Sequence, residues 1–107
     1  MRILDSLVEM VELVHRLARK VGQHDRDLAN QMKRASTSIA LNGSEGLWAK
    51  AGKRTTRLED AINSARETVM ALRIAGACGY LAQEEAQAAS RGLDSIIAVL
   101  WTLAYRR

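Results

Sequence analysis

Not one of the 107 residues is proline, and that absence constrains the fold more than any motif does. Ordinary usage of about 5% would place roughly five prolines in a chain this long. Proline interrupts a helix by removing a backbone donor and clashing with the turn before it. A chain without it can run in long helices, and alanine and leucine, both strong helix formers, are abundant here. The length is that of one domain, 1–107, too short to bury two independent cores.

The apolar residues recur at helical spacing in four segments. In the first, Leu4, Leu7, Val11, Val14, Ala18 and Val21 form a stripe that Ile3, Met10 and Leu17 widen beyond a two-stranded coiled-coil seam. Ser6 with Glu9 has the spacing of a capping box, although the stripe begins earlier; Arg16, Arg19 and Lys20 suit the negative end of the helix dipole, and Gly22 closes the segment. The second segment opens at Asp25 or Asp27, and its stripe of Leu28, Met32, Ala35 and Ile39 runs on in phase to the polar Asn42 and to Gly46. Residues 47–55 read as the loosest stretch. A third helix follows, with Thr56 and Glu59 as a possible capping box and a stripe of Leu58, Ile62, Ala65, Val69 and Leu72. Gly79 is placed for a left-handed C-cap, with Tyr80 and Leu81 packing back. The fourth opens with Glu84 and Glu85 and presents Ala86, Ala89, Leu93, Ile96, Ile97, Leu100 and Leu103. Short connections make neighbours antiparallel, so the expected fold is all-α, an up-and-down four-helix bundle.

Catalytic chemistry is hard to find in this composition. His15 and His24 lack the i, i+4 spacing of a helical metal site, and no phosphate-binding loop or nucleophile elbow is present. Cys78, the single cysteine, can form no internal disulfide and reads as a buried spectator. Asn42-Gly43-Ser44 spells a glycosylation sequon, but it falls within a helix. The expectation is a protein with no cofactor, no metal and no catalytic residues. No apolar run approaches the ~18 residues that span a bilayer, and the opening lacks a signal-peptide pattern. No membrane partner and a cytoplasmic location follow as expectations.

Two constellations remain. The formal net charge is +4, and it is uneven: residues 1–57 hold eleven Lys/Arg against six Asp/Glu, the remainder five against six. Lys33 and Arg34 are followed by Lys50, Lys53, Arg54 and Arg57, with Trp48 just before those four. Such cations can neutralise phosphates and an aromatic can stack a base, which points to RNA or DNA. The plainer alternative is a solvated basic surface that keeps the protein in solution. The second constellation is Asn42, Glu45 and Gly46 at the polar end of the second stripe. Glu45 is either buried and paired or part of a helix end meeting solvent. On the fourth helix, Val99, Trp101 and Tyr105 fall off the main stripe and suggest a partner surface.

The run from Gln31 to Gly46 resembles the signature of a bacterial four-helix bundle family, named for proteins encoded in intervening sequences of large ribosomal RNA genes. The family pattern reads approximately Q-x-R-R-A-x-x-S-I-x-x-N-x-A-E-G, matched by Gln31, Arg34, Ala35, Ser38, Ile39, Asn42, Glu45 and Gly46. Ser64, Glu67, Leu72, Ile74, Ala75, Gly79, Tyr80 and Leu81 look like its second signature. Local departures are Ala40 where proline is frequent, Ser44 where alanine is, and Gly43 in place of an apolar residue. The family is related to the accessory variability determinant of diversity-generating retroelements. The resemblance implies a homopentamer around a central channel. For the retroelement relatives it also implies a basic surface that engages nucleic acid and a reverse transcriptase.

Overall fold

A computed structural model describes residues 2–106. Four helices occupy nearly all of them: α1 Ile3–Val21, α2 Arg26–Trp48, α3 Ala51–Ala77 and α4 Gln83–Tyr105. The body measures 43 × 22 × 19 Å. Its long axis is that of α3 alone, since 27 residues at about 1.5 Å per residue span roughly 40 Å. No helix among the described residues is long and apolar enough to cross a membrane.

Each helix lies antiparallel to the next. His15 and Thr37 hydrogen-bond midway along α1 and α2, while Leu7 reaches Gly43 further on. Ser64 bonds Ser38 between α3 and α2, and Thr55 of α3 reaches the Ala104 carbonyl of α4. The helices close into a cycle in which α2–α3 is the broadest seam and α4–α1 the thinnest. The core runs the length of this cycle, with Leu7, Val14, Met32, Ile39, Leu58, Leu72, Leu93 and Leu100 all essentially without solvent exposure.

The helix ends correct several expectations and fulfil others. Asp25, not Asp27, caps α2: its Oδ1 accepts from the Leu28 amide at 2.9 Å. Ser6 is not a cap, because α1 begins at Ile3 with the apolar stripe and the Ser6 amide already donates to the Arg2 carbonyl at 3.0 Å. Nor is Thr56. The supposed loose stretch is helical except for Ala49 and Lys50, so Thr56 sits a turn inside α3 and its hydroxyl donates back to the Gly52 carbonyl. Helix α3 ends as its sequence predicts. Gly79 adopts φ 77°, the Tyr80 amide donates to the Ala75 carbonyl at 2.9 Å, and the Gly79 amide donates to Gly76 at 3.2 Å. This is the Schellman pattern, which satisfies the last carbonyls of a helix. Cys78, expected to be buried, is the exposed C-cap residue of that turn.

Gly43 and Gly46 are both buried and let α2 approach its neighbours closely. A Cβ at 43 would lie 2.9 Å from Leu7 Cδ1, and one at 46 would lie 2.7 Å from Leu58 Cγ. The helix propensity sacrificed at each, about 1 kcal/mol relative to alanine, is offset by tight packing of aliphatic side chains against bare backbone.

Candidate nucleic-acid interface

Helix α2 is amphipathic in a graded way. Its inward stripe is apolar as far as Ile39 and small thereafter, which leaves the outward face to Arg26, Asn30, Lys33, Arg34, Thr37 and Leu41. Two shallow grooves flank this face. One, between α1 and α2, is lined in part by Arg19, Arg26, Asn30 and Lys33. The other, of about 450 Å³, runs toward α3 and is lined by Lys33, Arg34, Thr37, Ser38, Leu41, Asn42, Glu45 and Arg57. Lys33 borders both, so the two form one continuous track. It carries five cations, Arg19, Arg26, Lys33, Arg34 and Arg57, against one carboxylate.

That carboxylate is Glu45, which within the single chain is not buried. Glu45 is exposed and pairs with Arg57 at 3.4 Å, each side chain more than half accessible. An ion pair so exposed contributes little to stability. Asn42, half-buried, turns its amide to the Ser38 carbonyl and hydroxyl at 3.1 and 2.9 Å. Ser38 in turn accepts from the Ser64 hydroxyl at 2.9 Å. The polar end of the stripe is therefore a hydroxyl–amide network between α2 and α3. It floors the groove and needs no charge.

The other predicted residues divide. Lys50, in the two-residue bend, and Lys53, in the first turn of α3, are exposed, but Arg54 is partly withdrawn: its guanidinium donates to the Leu47 carbonyl at 3.2 Å and covers the end of α2. The four cations stand at i, i+3, i+4 and i+7 and so share one face, but they are unequally available, because Arg54 covers the end of α2 and Arg57 pairs with Glu45. Gln31 and Glu67 of the family signatures are exposed, whereas Gly46 is buried and Ser64 joins the hydroxyl network. Tyr80 stacks on His24, ring centroids 5.0 Å apart.

Trp101 and Tyr105 are half-exposed and tilt against each other at 4.4 Å. The Tyr105 hydroxyl donates to the Glu59 carboxylate, which raises the phenol pKa. Val99 does not join them. Two residues along a helix turn the side chain through about 200°, and Val99 lies half-buried on the other flank.

Sequence reasoning missed Arg19 and Arg26. Arg19 was accounted for by the helix dipole, and the i, i+7 relation of Arg26 to Lys33 was the signal that placed both on one face. Lys20, by contrast, is spent on Glu85 across the α1–α4 seam. Among the described residues no group of acidic, histidine and cysteine side chains could hold a metal ion.

A model of the family described as 23S rRNA-intervening sequence protein matches residues 1–102. A crystal structure of a protein of unknown function from the S23 ribosomal protein family of Bacteroides thetaiotaomicron superimposes with a TM-score of 0.88 at 20% identity, covering 96% of this chain and 98% of that one. At that identity the likeness concerns the fold. No curated protein matches the chain.

Proposed function

This chain belongs to the 23S rRNA-intervening sequence protein family, and from that premise we propose that it is a non-enzymatic, homo-oligomeric adaptor that associates with nucleic acid through the outward face of α2. The observation that carries the reading is the continuous track from Arg19 to Arg57, where Arg57 pairs with the one carboxylate and Arg19, Arg26, Lys33 and Arg34 remain for a polyanion. Lysine and arginine on a shallow, open surface neutralise phosphates with little geometric demand. Of the two nucleic acids, RNA is the ligand we propose. The assembly we infer is a pentamer in the cytoplasm, which would repeat the track so that weak contacts per protomer sum to useful avidity. The resemblance to retroelement accessory proteins adds a reverse transcriptase as a protein partner.

A second reading, a self-associating or protein-binding module without a nucleic-acid ligand, draws on the exposed Val8, Leu41, Met70 and Ile74. The salt dependence of RNA binding separates the two. Lys33→Ala/Arg34→Ala should reduce the log–log salt slope by about 1.4 for a single strand, two phosphates' worth of counterion release, at unchanged oligomer size. Absence of wild-type binding near about 50 mM salt, where such contacts are strong, would leave the protein-binding reading standing.

A further inference from the structure

Trp48 is the most exposed large apolar side chain described, at 81% accessibility. The other tryptophan, Trp101, has a ring neighbour in Tyr105, and His24 pairs with Tyr80; among the described residues Trp48 stacks on no ring. Helix α2 ends at Trp48, and Ala49 and Lys50 that follow are both extended, with φ near −80° and ψ near 155°. The chain therefore leaves the helix axis directly after the indole, which stands at a corner with a face open to solvent.

The position of that corner relative to the cations is fixed by register. Arg34, Leu41 and Trp48 follow one another at seven-residue steps, two helical turns or about 10.5 Å each, so they share the outward line of α2. The indole thus ends the cationic track, with Lys33, Arg34 and Arg57 on one side and exposed Lys50 and Lys53 on the other.

We propose that Trp48 is a base-stacking platform and that the track's ligand is a single-stranded nucleic-acid segment rather than a duplex. This inference rests on the nucleic-acid reading above and names its ligand class. A duplex keeps its base faces stacked inside and offers this corner phosphates and groove edges only. An unpaired strand offers an aromatic face at every nucleotide, and cations on either side of an aromatic are what such a strand needs. The same charges set a polyanion ahead of a protein as the occupant of the indole.

The test uses the full chain, a short uridine oligomer, and a duplex of equal length. Trp48→Ala should weaken binding of the single strand by about tenfold with its salt slope unchanged, Trp48→Phe should retain most of the affinity, and duplex binding should not move. Lys33→Ala/Arg34→Ala should weaken both ligands. In a Trp101→Phe background, where Trp48 is the one tryptophan left, the oligomer should quench tryptophan fluorescence. If Trp48→Ala binds the oligomer as wild type does while the double cation variant fails, the platform is overturned and the nucleic-acid reading survives. Wild-type protein that binds neither ligand overturns both. A change in oligomer size with affinity per protomer unchanged would assign the indole to a protein contact and equally overturn the proposal.

Discussion

A methyl group added to Gly46 of α2 would sit 2.7 Å from Leu58 Cγ and 3.2 Å from the Leu58 amide nitrogen; one added to Gly92 of α4 would meet Met10 Cε at 2.8 Å and nothing else within 4 Å. The distances nearly coincide, but the atoms differ. Leu58 Cγ is a branch point one bond from Cβ, on a fully buried side chain, and cannot move without its helix. Met10 Cε is the far end of an unbranched thioether that can swing aside. The α2–α3 seam is a fixed fit of backbone to side chain, closed by the Ser38–Ser64–Asn42 network, whereas α4–α1 is a thinner contact closed at one end by the Lys20–Glu85 pair. A short contact distance alone does not tell a rigid seam from an adaptable one; which atom makes it does.

The largest expected effect tests the rigid seam. Leu58→Ala should cost about 2–5 kcal/mol in chemical denaturation, as buried leucine truncations do. Gly46→Ala should cost about 1–3 kcal/mol through overpacking, less about 1 kcal/mol recovered from helix propensity. Combined, the two should be less destabilising than their sum, because removing the isobutyl group makes room for the new methyl. Strict additivity would mean that Gly46 and Leu58 do not share the contact. Gly92→Ala comes next and has the opposite sign, a gain of up to about 1 kcal/mol as Met10 moves away. A loss comparable to that of Gly46→Ala would make the two seams equals.

The smallest effect concerns pH. The hydrogen bond from Lys20 holds the Glu85 carboxyl below its usual range, aided by the Ala82 amide and the lysine charge and opposed by desolvation. A folded-state pKa below the unfolded one gives a contribution that is present above the ordinary carboxylate pKa and lost as pH falls through the folded value. The hydroxyl network of α2–α3 has nothing that titrates there. Glu85→Gln should therefore remove a small part of the stability lost between neutral and acid pH, read from urea midpoints. An unchanged acid dependence would show that the pair contributes nothing to the seam.

Much of this molecule was legible in its residues. The four stripes, the start of α2 at one of two aspartates and the Gly79 turn follow from periodicity and local backbone demands, which neighbouring residues settle among themselves. The family signature likewise marked Asn42, Gly46 and Ser64, which the structure places in or beside the α2–α3 seam. What stayed hidden depends on where one helix lies against another. Arg19 satisfies a helix dipole whichever way it points, so its place on the α2 track could not be read from α1. The accessibility of Glu45 turns on the same rotation of one cylinder against its neighbours, whereas the roughly 200° between Val99 and Trp101 and the place of Cys78 at a helix end were already set by spacing along the chain. The two-residue bend was missed because Gly52 and its surrounding cations read as a loop by composition, although α3 begins at Ala51 and Arg54 covers the Leu47 carbonyl at the end of α2.

The cyclic order of the helices also bears on how the chain assembles. Three of the four seams join helices consecutive in sequence, and only α4–α1 brings distant parts of the chain together. Contacts between near neighbours close short loops and form early, while the closing seam must wait for the longest loop. The α2–α3 hairpin, with the shortest connection and the broadest seam, is then the natural nucleus, and Leu58→Ala should slow refolding where Gly92→Ala changes mainly the unfolding rate. A protein wired in this way has most of its cationic face in place before its ring of helices has closed.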